Sequence, residues 1–160
     1  PIDPRDTSGS LLSALADDGA PLVLQVLQAL ASGQAVAKAQ ASEGISEAPM
    51  LAVSDAKVDW NTSAVVIDRL IRGVTPAPGA WTTLAGVRLR LGPVELVDAP
   101  QLEPGEVLAS KRQVLVGTAD GVVALGQVAP AGKKWMDAAA WARGARLDEH
   151  TVLGQEVEAN

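Results

Sequence analysis

Between Ala80 and Val128 the hydrophobic residues come in short runs, each cut off by glycine, proline or a charged pair, and this stretch limits the available folds more than any other feature of the chain. The runs predict strands at 80–84, 87–91, 94–97, 106–110, 113–117 and 122–128, with turns at Ala85-Gly86, Lys111-Arg112 and Ala119-Asp120-Gly121. Gly92-Pro93 predicts a bulge or bend. Strands this short leave unpaired edges unless they close up, so five or six of them imply a small barrel or sandwich. Within 87–91, Val87, Leu89 and Leu91 alternate with Arg88 and Arg90, which places both arginines on the outward face.

The segments before this stretch differ in kind. Asp6, Thr7 or Ser8 is positioned to cap a helix carrying Leu11, Leu12, Leu15, Leu22, Val23, Val26, Leu27 and Leu30 at helical spacing, with Gly19-Ala20-Pro21 expected to break or kink it. Its apolar face is broad and suits the last helix of a larger domain, or self-association when that domain is missing. From 31 to 48 the chain turns to Ala, Ser, Gly, Gln and Glu, a composition that buries no core and predicts a linker, docked at its end by Ala48-Pro49-Met50-Leu51. A second helix follows Lys57-Val58-Asp59-Trp60, with Asn61 or Thr62 at its start, a buried stripe of Ala64, Ile67, Leu70 and Ile71, and solvated Arg69 and Arg72 on a neighbouring face. A short helix is expected over 137–143, and a frayed tail beyond Arg146.

Composition closes off several classes of function. Among 160 residues there is no cysteine, which excludes disulfides, thiolate nucleophiles and thiolate metal sites, and the one histidine excludes a site built on two imidazoles. Uninterrupted apolar runs fall short of the roughly twenty residues of a membrane span, so a soluble, cytoplasmic protein is expected. The net charge of −6 is unevenly spread. Residues 1–56 hold two bases against seven acids, 57–146 eleven bases against eight acids, and 147–160 four acids and no base. An anionic partner would therefore address the basic middle.

No phosphate loop, nucleophile elbow or zinc-protease motif is present. His150 lies in a polar tail, Asp17-Asp18 on the polar side of a helix, and Asp59 is placed to cap a helix or pair with an arginine. The basic residues carry more: Arg88 and Arg90 on a strand face, Lys111 and Arg112 in a turn, and Lys133 and Lys134 before a helix are positioned to converge. With Arg69 and Arg72 they form the candidate phosphate-contacting set. Trp60, Trp81, Trp135 and Trp141 lie in apolar contexts that favour core packing, and Phe and Tyr are absent, so backbone recognition of a folded RNA is expected rather than base stacking.

Several stretches resemble the methionyl-tRNA formyltransferases. Asp6-Thr7 with Leu11, Leu12, Leu15, Ala16, Gly19 and Ala20 is similar to the last helix of that family's catalytic domain. Ala48-Pro49-x-Leu51 and Asp55-Ala56-x-Val58-Asp59-Trp60 resemble its linker exit. Ile67-x-Arg69-x-Ile71-Arg72 with Pro76-x-Pro78-Gly79-Ala80-Trp81, and Pro130-Ala131-Gly132-Lys133-Lys134-x-Met136 with Trp141-x-Arg143-Gly144, resemble its C-terminal domain. Met50 stands where the family usually has a linker lysine, and Thr75 where it has asparagine. The resemblance implies a mainly β, OB-like barrel over 57–146, preceded by a linker over 33–56 and by a helical remnant of a Rossmann-like domain over 1–32, with an acidic tail over 147–160.

It also implies transfer of a formyl group from 10-formyltetrahydrofolate to methionyl initiator tRNA, with no metal. The family's catalytic Asn, His and Asp and its folate pocket lie in an N-terminal domain upstream of Pro1. On that basis the chain alone would be inactive, no residue here is catalytic or cofactor-binding, and the intact enzyme would be monomeric. A related formyltetrahydrofolate hydrolase, a sugar-nucleotide formyltransferase or a non-catalytic RNA-binding module are the alternatives, and the basic module with Pro-Ala-Gly-Lys-Lys favours tRNA.

Overall fold

A computed structural model describes residues 2–148 and 150–155 and divides the chain into two compact units, Pro1–Met50 and Leu51–Asn160. In the first unit α1 spans Ser8–Ala31. Thr7 caps it reciprocally, its Oγ1 accepting from the Ser10 amide at 3.2 Å while Ser10 Oγ accepts from the Thr7 amide at 2.9 Å. The expected break at Pro21 does not occur. Proline there removes the one amide that would bond the carbonyl four residues back, and the apolar residues on either side carry the helix past the gap. None of its residues is buried. Taken as a whole, α1 is long and apolar enough to cross a membrane, with mean hydropathy 1.2 over its best 18 residues, although no uninterrupted run reaches that length. Residues 35–50 form neither helix nor strand, and Met50 is 95% exposed.

The second unit opens with a 3-10 turn at Ser54–Ala56, and then α2, Ala64–Gly73. Its N-cap is Ser63 rather than Asn61 or Thr62. Ser63 Oγ accepts from the Val66 amide, and Asp120, reaching across from a distant turn, accepts from the Ala64 amide at 2.9 Å. Asn61 and Thr62 are instead tied to Asp59 in the preceding turn. Ile67 and Ile71 on the inner stripe are fully buried, a contribution of about 1.5–3 kcal/mol each. Two cis peptide bonds, Thr75-Pro76 and Ala77-Pro78, follow the helix.

Eight strands come next: β1 Trp81–Leu84, β2 Val87–Leu91, β3 Val94–Val97, β4 Val107–Ala109, β5 Val114–Gly117, β6 Val122–Leu125, β7 Gln127–Pro130 and β8 Met136–Asp137. All pairings are antiparallel. The first sheet has the order β1-β2-β7-β8 and the second β3-β6-β5-β4, so the ladders make two four-stranded sheets and not one closed barrel. One core cluster joins Leu89, Leu91 and Val128 of the first sheet to Val94, Val114, Val116, Val123 and Leu125 of the second. The run expected as one strand over 122–128 is two, because the chain changes sheet at Gly126. Its other change of sheet, at Gly92-Pro93, lies against this one: the Gly92 amide bonds the Gln127 carbonyl at 2.8 Å, and a Cβ on Gly126 would stand 2.9 Å from the Pro93 carbonyl oxygen. Two chain crossings this close leave no room for a side chain.

After β8, α3 spans Ala138–Ala145, capped by Asp137, whose Oδ1 accepts from the Ala140 amide at 2.9 Å. The segment expected to fray then does the opposite over 150–155; Glu149 and residues 156–160 lie outside the described residues. Leu153 is buried in the core, and its amide bonds the Gly105 carbonyl at 2.8 Å. The Val107 amide bonds the Thr151 carbonyl at 3.0 Å, and the Gly154 amide bonds the Thr83 carbonyl at 2.8 Å. Residues 151–154 thus form a strap between the edge strand of one sheet and the β4 end of the other. An acidic composition hid a single well-spaced apolar residue, Leu153, that anchors it.

Candidate nucleic-acid interface

The outer face of the first sheet gathers cations around two indoles. β1 and β2 pair with Trp81 opposite Arg90 and Thr83 opposite Arg88. On a twisted antiparallel pair a large side chain reaches its diagonal neighbour, and the Arg88 guanidinium carbon lies 4.1 Å from the centre of the Trp81 ring. The Lys57 ammonium approaches the same ring at 5.7 Å. Trp81 is itself fixed, because its Nε1 donates to the Val53 carbonyl at 2.7 Å. Two residues further along β2, and so on the same face as Arg88, Arg90 places its guanidinium carbon 5.0 Å from the centre of the Trp135 ring. Trp135 directly follows Lys133 and Lys134, which leave β7 through a turn closed by the bond from the Lys133 amide to the Pro130 carbonyl, 2.9 Å.

Of the expected basic residues, the structure therefore brings Arg88, Arg90 and the turn bearing Lys133 and Lys134 to one sheet. All four are exposed, and neither Arg88 nor Arg90 is ion-paired among the described residues. Lys111 and Arg112 stand apart on the β4–β5 turn of the second sheet, where Arg143 Nη1 donates to the Lys111 carbonyl at 3.3 Å. Arg69 is exposed on α2, which packs on β3. Arg72 is not solvated as expected: it is only 17% exposed, and both Nε and Nη2 hold Asp68 Oδ2, at 3.0 and 2.9 Å. A guanidinium neutralised by its own helix offers an anion much less than Arg88 does.

Three members of the face were missed from the sequence, Lys57, Trp81 and Trp135. Core packing holds for Trp60 and Trp141, which are buried, with Trp60 Nε1 donating to buried Thr82 Oγ1 at 3.0 Å. Trp81 packs against the same core but stays partly exposed, and core packing fails for Trp135, 44% exposed. The strand alternation that turned Arg88 and Arg90 outward was the available signal, since Trp81 pairs opposite Arg90 on the same face.

Beside this face a cavity of about 430 Å³ is lined by Lys57, Asp59, Trp60, Asn61 and the strap residues Val152 and Gly154. The Asn61 backbone and side-chain amides both donate to Asp59, and with Lys57 nearby they hold its carboxyl below the ordinary value of 3.8. Asp59 is exposed and stays ionised as a turn-forming group; no nucleophile and base adjoin in this cavity. Among the described residues, no group of three or more His, Asp or Glu side chains is placed to hold a metal ion.

Solved structures share this fold. HypX from Aquifex aeolicus, in a multiply substituted variant, superposes with a TM-score of 0.69 over 89% of this chain and 26% of its own, at 20% identity. The same protein in complex with tetrahydrofolic acid matches with a TM-score of 0.60 over 75% of this chain at 22% identity. Sequence similarity is much higher to methionyl-tRNA formyltransferases. That of Thermobifida fusca is 52% identical over 98% of this chain, and that of a Nocardioides species 51% over 96%. The chain spans about half the length of these relatives, 51% and 49%. The pattern of the formyl transferase C-terminal domain matches residues 50–146, nearly all of the sheet-bearing unit described above, and the chain belongs to that family.

Proposed function

We propose that this chain is the tRNA-positioning portion of an enzyme that moves a formyl group from 10-formyltetrahydrofolate to the amino group of methionyl initiator tRNA. The observation that carries this reading is the similarity, at about half of all positions and along almost the whole chain, to enzymes named methionyl-tRNA formyltransferase. On this reading residues 1–32 end the catalytic domain, 33–56 link it to the sheets, and 57–146 hold the tRNA. The formyl donor binds outside this chain, in the part of the enzyme that carries the catalytic residues, and a cytoplasmic location goes with it. This chain by itself transfers no formyl group.

What the sheet unit contributes is position. Arg88, Arg90, Lys133 and Lys134 present charge to phosphates at one face, and binding remote from the reacting amino group can be used to hold that group where reaction occurs. Such contacts order the tRNA without reading its sequence.

A salt titration of tRNA binding tests this. If about four phosphates are met, the logarithm of the binding constant falls against log salt with a slope of roughly −3 to −4. Charge reversal at Lys133 and Lys134 together weakens initiator and elongator tRNAs alike and flattens the slope, whereas reversal at Lys111 and Arg112 has a smaller effect. Salt-independent binding, or a Lys133→Glu/Lys134→Glu chain that binds as well as its parent, overturns the reading.

A further inference from the structure

Trp135 is out of place in a surface that only meets phosphates. It is 44% exposed and directly follows Lys133 and Lys134, with the Arg90 guanidinium already over its ring. Burying so large an apolar ring is worth more than leaving it in water, and nothing in the core required it here, since Trp60 and Trp141 are buried. An exposed indole flanked by backbone-binding cations is the arrangement by which proteins hold unpaired nucleotides: the cations take the phosphates and the π-face takes a base of any identity. A guanidinium on the ring adds to the attraction and stiffens the platform.

We propose that Trp135 stacks an unpaired base of the bound RNA, with Arg88, Arg90, Lys133 and Lys134 holding the phosphates on either side of it. This rests on the reading of the face as a tRNA surface and adds to it a demand: the RNA must bring a single-stranded nucleotide to this sheet. Backbone recognition alone was expected where core packing was favoured for the tryptophans, and Trp135 stays exposed instead.

The test uses the 160-residue chain and two probes, a short unstructured oligouridylate and a blunt-ended RNA duplex with the same number of phosphates. Trp135→Ala should weaken the oligouridylate by about 5- to 150-fold, the range that loss of one stacked base produces, and leave the duplex unchanged. Trp135→Leu, which keeps apolar bulk under Arg90 but has no π-face, should behave like the alanine variant, and Trp135→Phe should retain most of the affinity. The salt slope should not move in any of the three, because no charge is lost. An alanine variant with parental affinity for the oligouridylate, or an equal loss on both probes, overturns the stacking role. A parent chain that binds only the duplex overturns it too while leaving the phosphate surface standing; salt-independent binding of both probes brings down the underlying reading as well.

Discussion

Replacing Leu153 by alanine removes the one large apolar side chain that pins the strap to the core. Leu153 is 2% exposed, and its neighbours Thr151 and Gly154 hold Val107 and Thr83 by backbone bonds on two different sheets. Leucine-to-alanine changes at sites this buried cost about 2–5 kcal/mol, with the upper end reserved for cavities that do not collapse. A strap held by a few backbone bonds can shift toward the space, which argues for about 2–3 kcal/mol, a large share of the roughly 5–15 kcal/mol that holds a domain together. Urea unfolding followed by circular dichroism reads it directly. The midpoint should fall, and if the strap stays docked the m-value is unchanged; hydrogen exchange at the Leu153 and Gly154 amides should quicken in step. A loss below about 1 kcal/mol would refute the claim that residues 151–154 belong to the folded unit rather than to a loose tail.

The remaining predictions concern the corner and the strap's own turn. Gly126→Ala places a Cβ 2.9 Å from the Pro93 carbonyl oxygen, so one of the two crossings must move, at about 1–3 kcal/mol by thermal unfolding; a neutral substitution would show that the corner has slack. Asp148 accepts from Thr151 Oγ1 and from the His150 amide, which hold its carboxyl below the ordinary 3.8. A lowered folded-state value favours the native state above about pH 4, and this contribution disappears as pH falls through the depressed value. The stability difference between the parent and Asp148→Asn should therefore be constant at neutral pH and shrink below pH 3.8, and a difference flat down to pH 2.5 would contradict the assignment.

Local patterns settled most of the strands because alternation is a property of a few consecutive residues. Arg88 and Arg90 outward, Leu89 and Leu91 inward, and the bend at Gly92-Pro93 all follow from neighbours in sequence. What escaped was set by distant partners. Gly126 divides a seemingly continuous run because its contact is Pro93, and α2 is capped partly by Asp120, 56 residues away. Arg72 looked solvated by helical spacing, yet Asp68 one turn before it takes the charge. Leu153 sits among acids and polar residues, where composition outvotes a single buried side chain. Half of the candidate face was legible for the same reason: the arginines were marked by alternation, while Lys57 joins it only through its bridge to Trp81, and Trp135 only through the pairing of β2, β7 and β8.

The value of that pairing to a ligand is that it fixes the charges in advance. An arginine side chain free in solution carries about 2 kcal/mol of rotamer entropy, some of which must be given up when a phosphate orders it. Arg88 already lies over Trp81, and Trp81 is held by the Val53 carbonyl, so the guanidinium is placed before any ligand arrives. Arg88→Lys separates this from charge alone. The lysine keeps the positive charge, so the salt slope should stay as it was, but it lacks the planar fork that stacks and bonds in two places. An exposed stack of this kind is worth about 0.5–1 kcal/mol, so tRNA affinity should drop by about 2- to 5-fold. Arg88→Glu should drop it further and reduce the slope by about one. If the lysine variant bound tRNA as tightly as the parent, the indole would be a passive neighbour, and net charge by itself would account for the face.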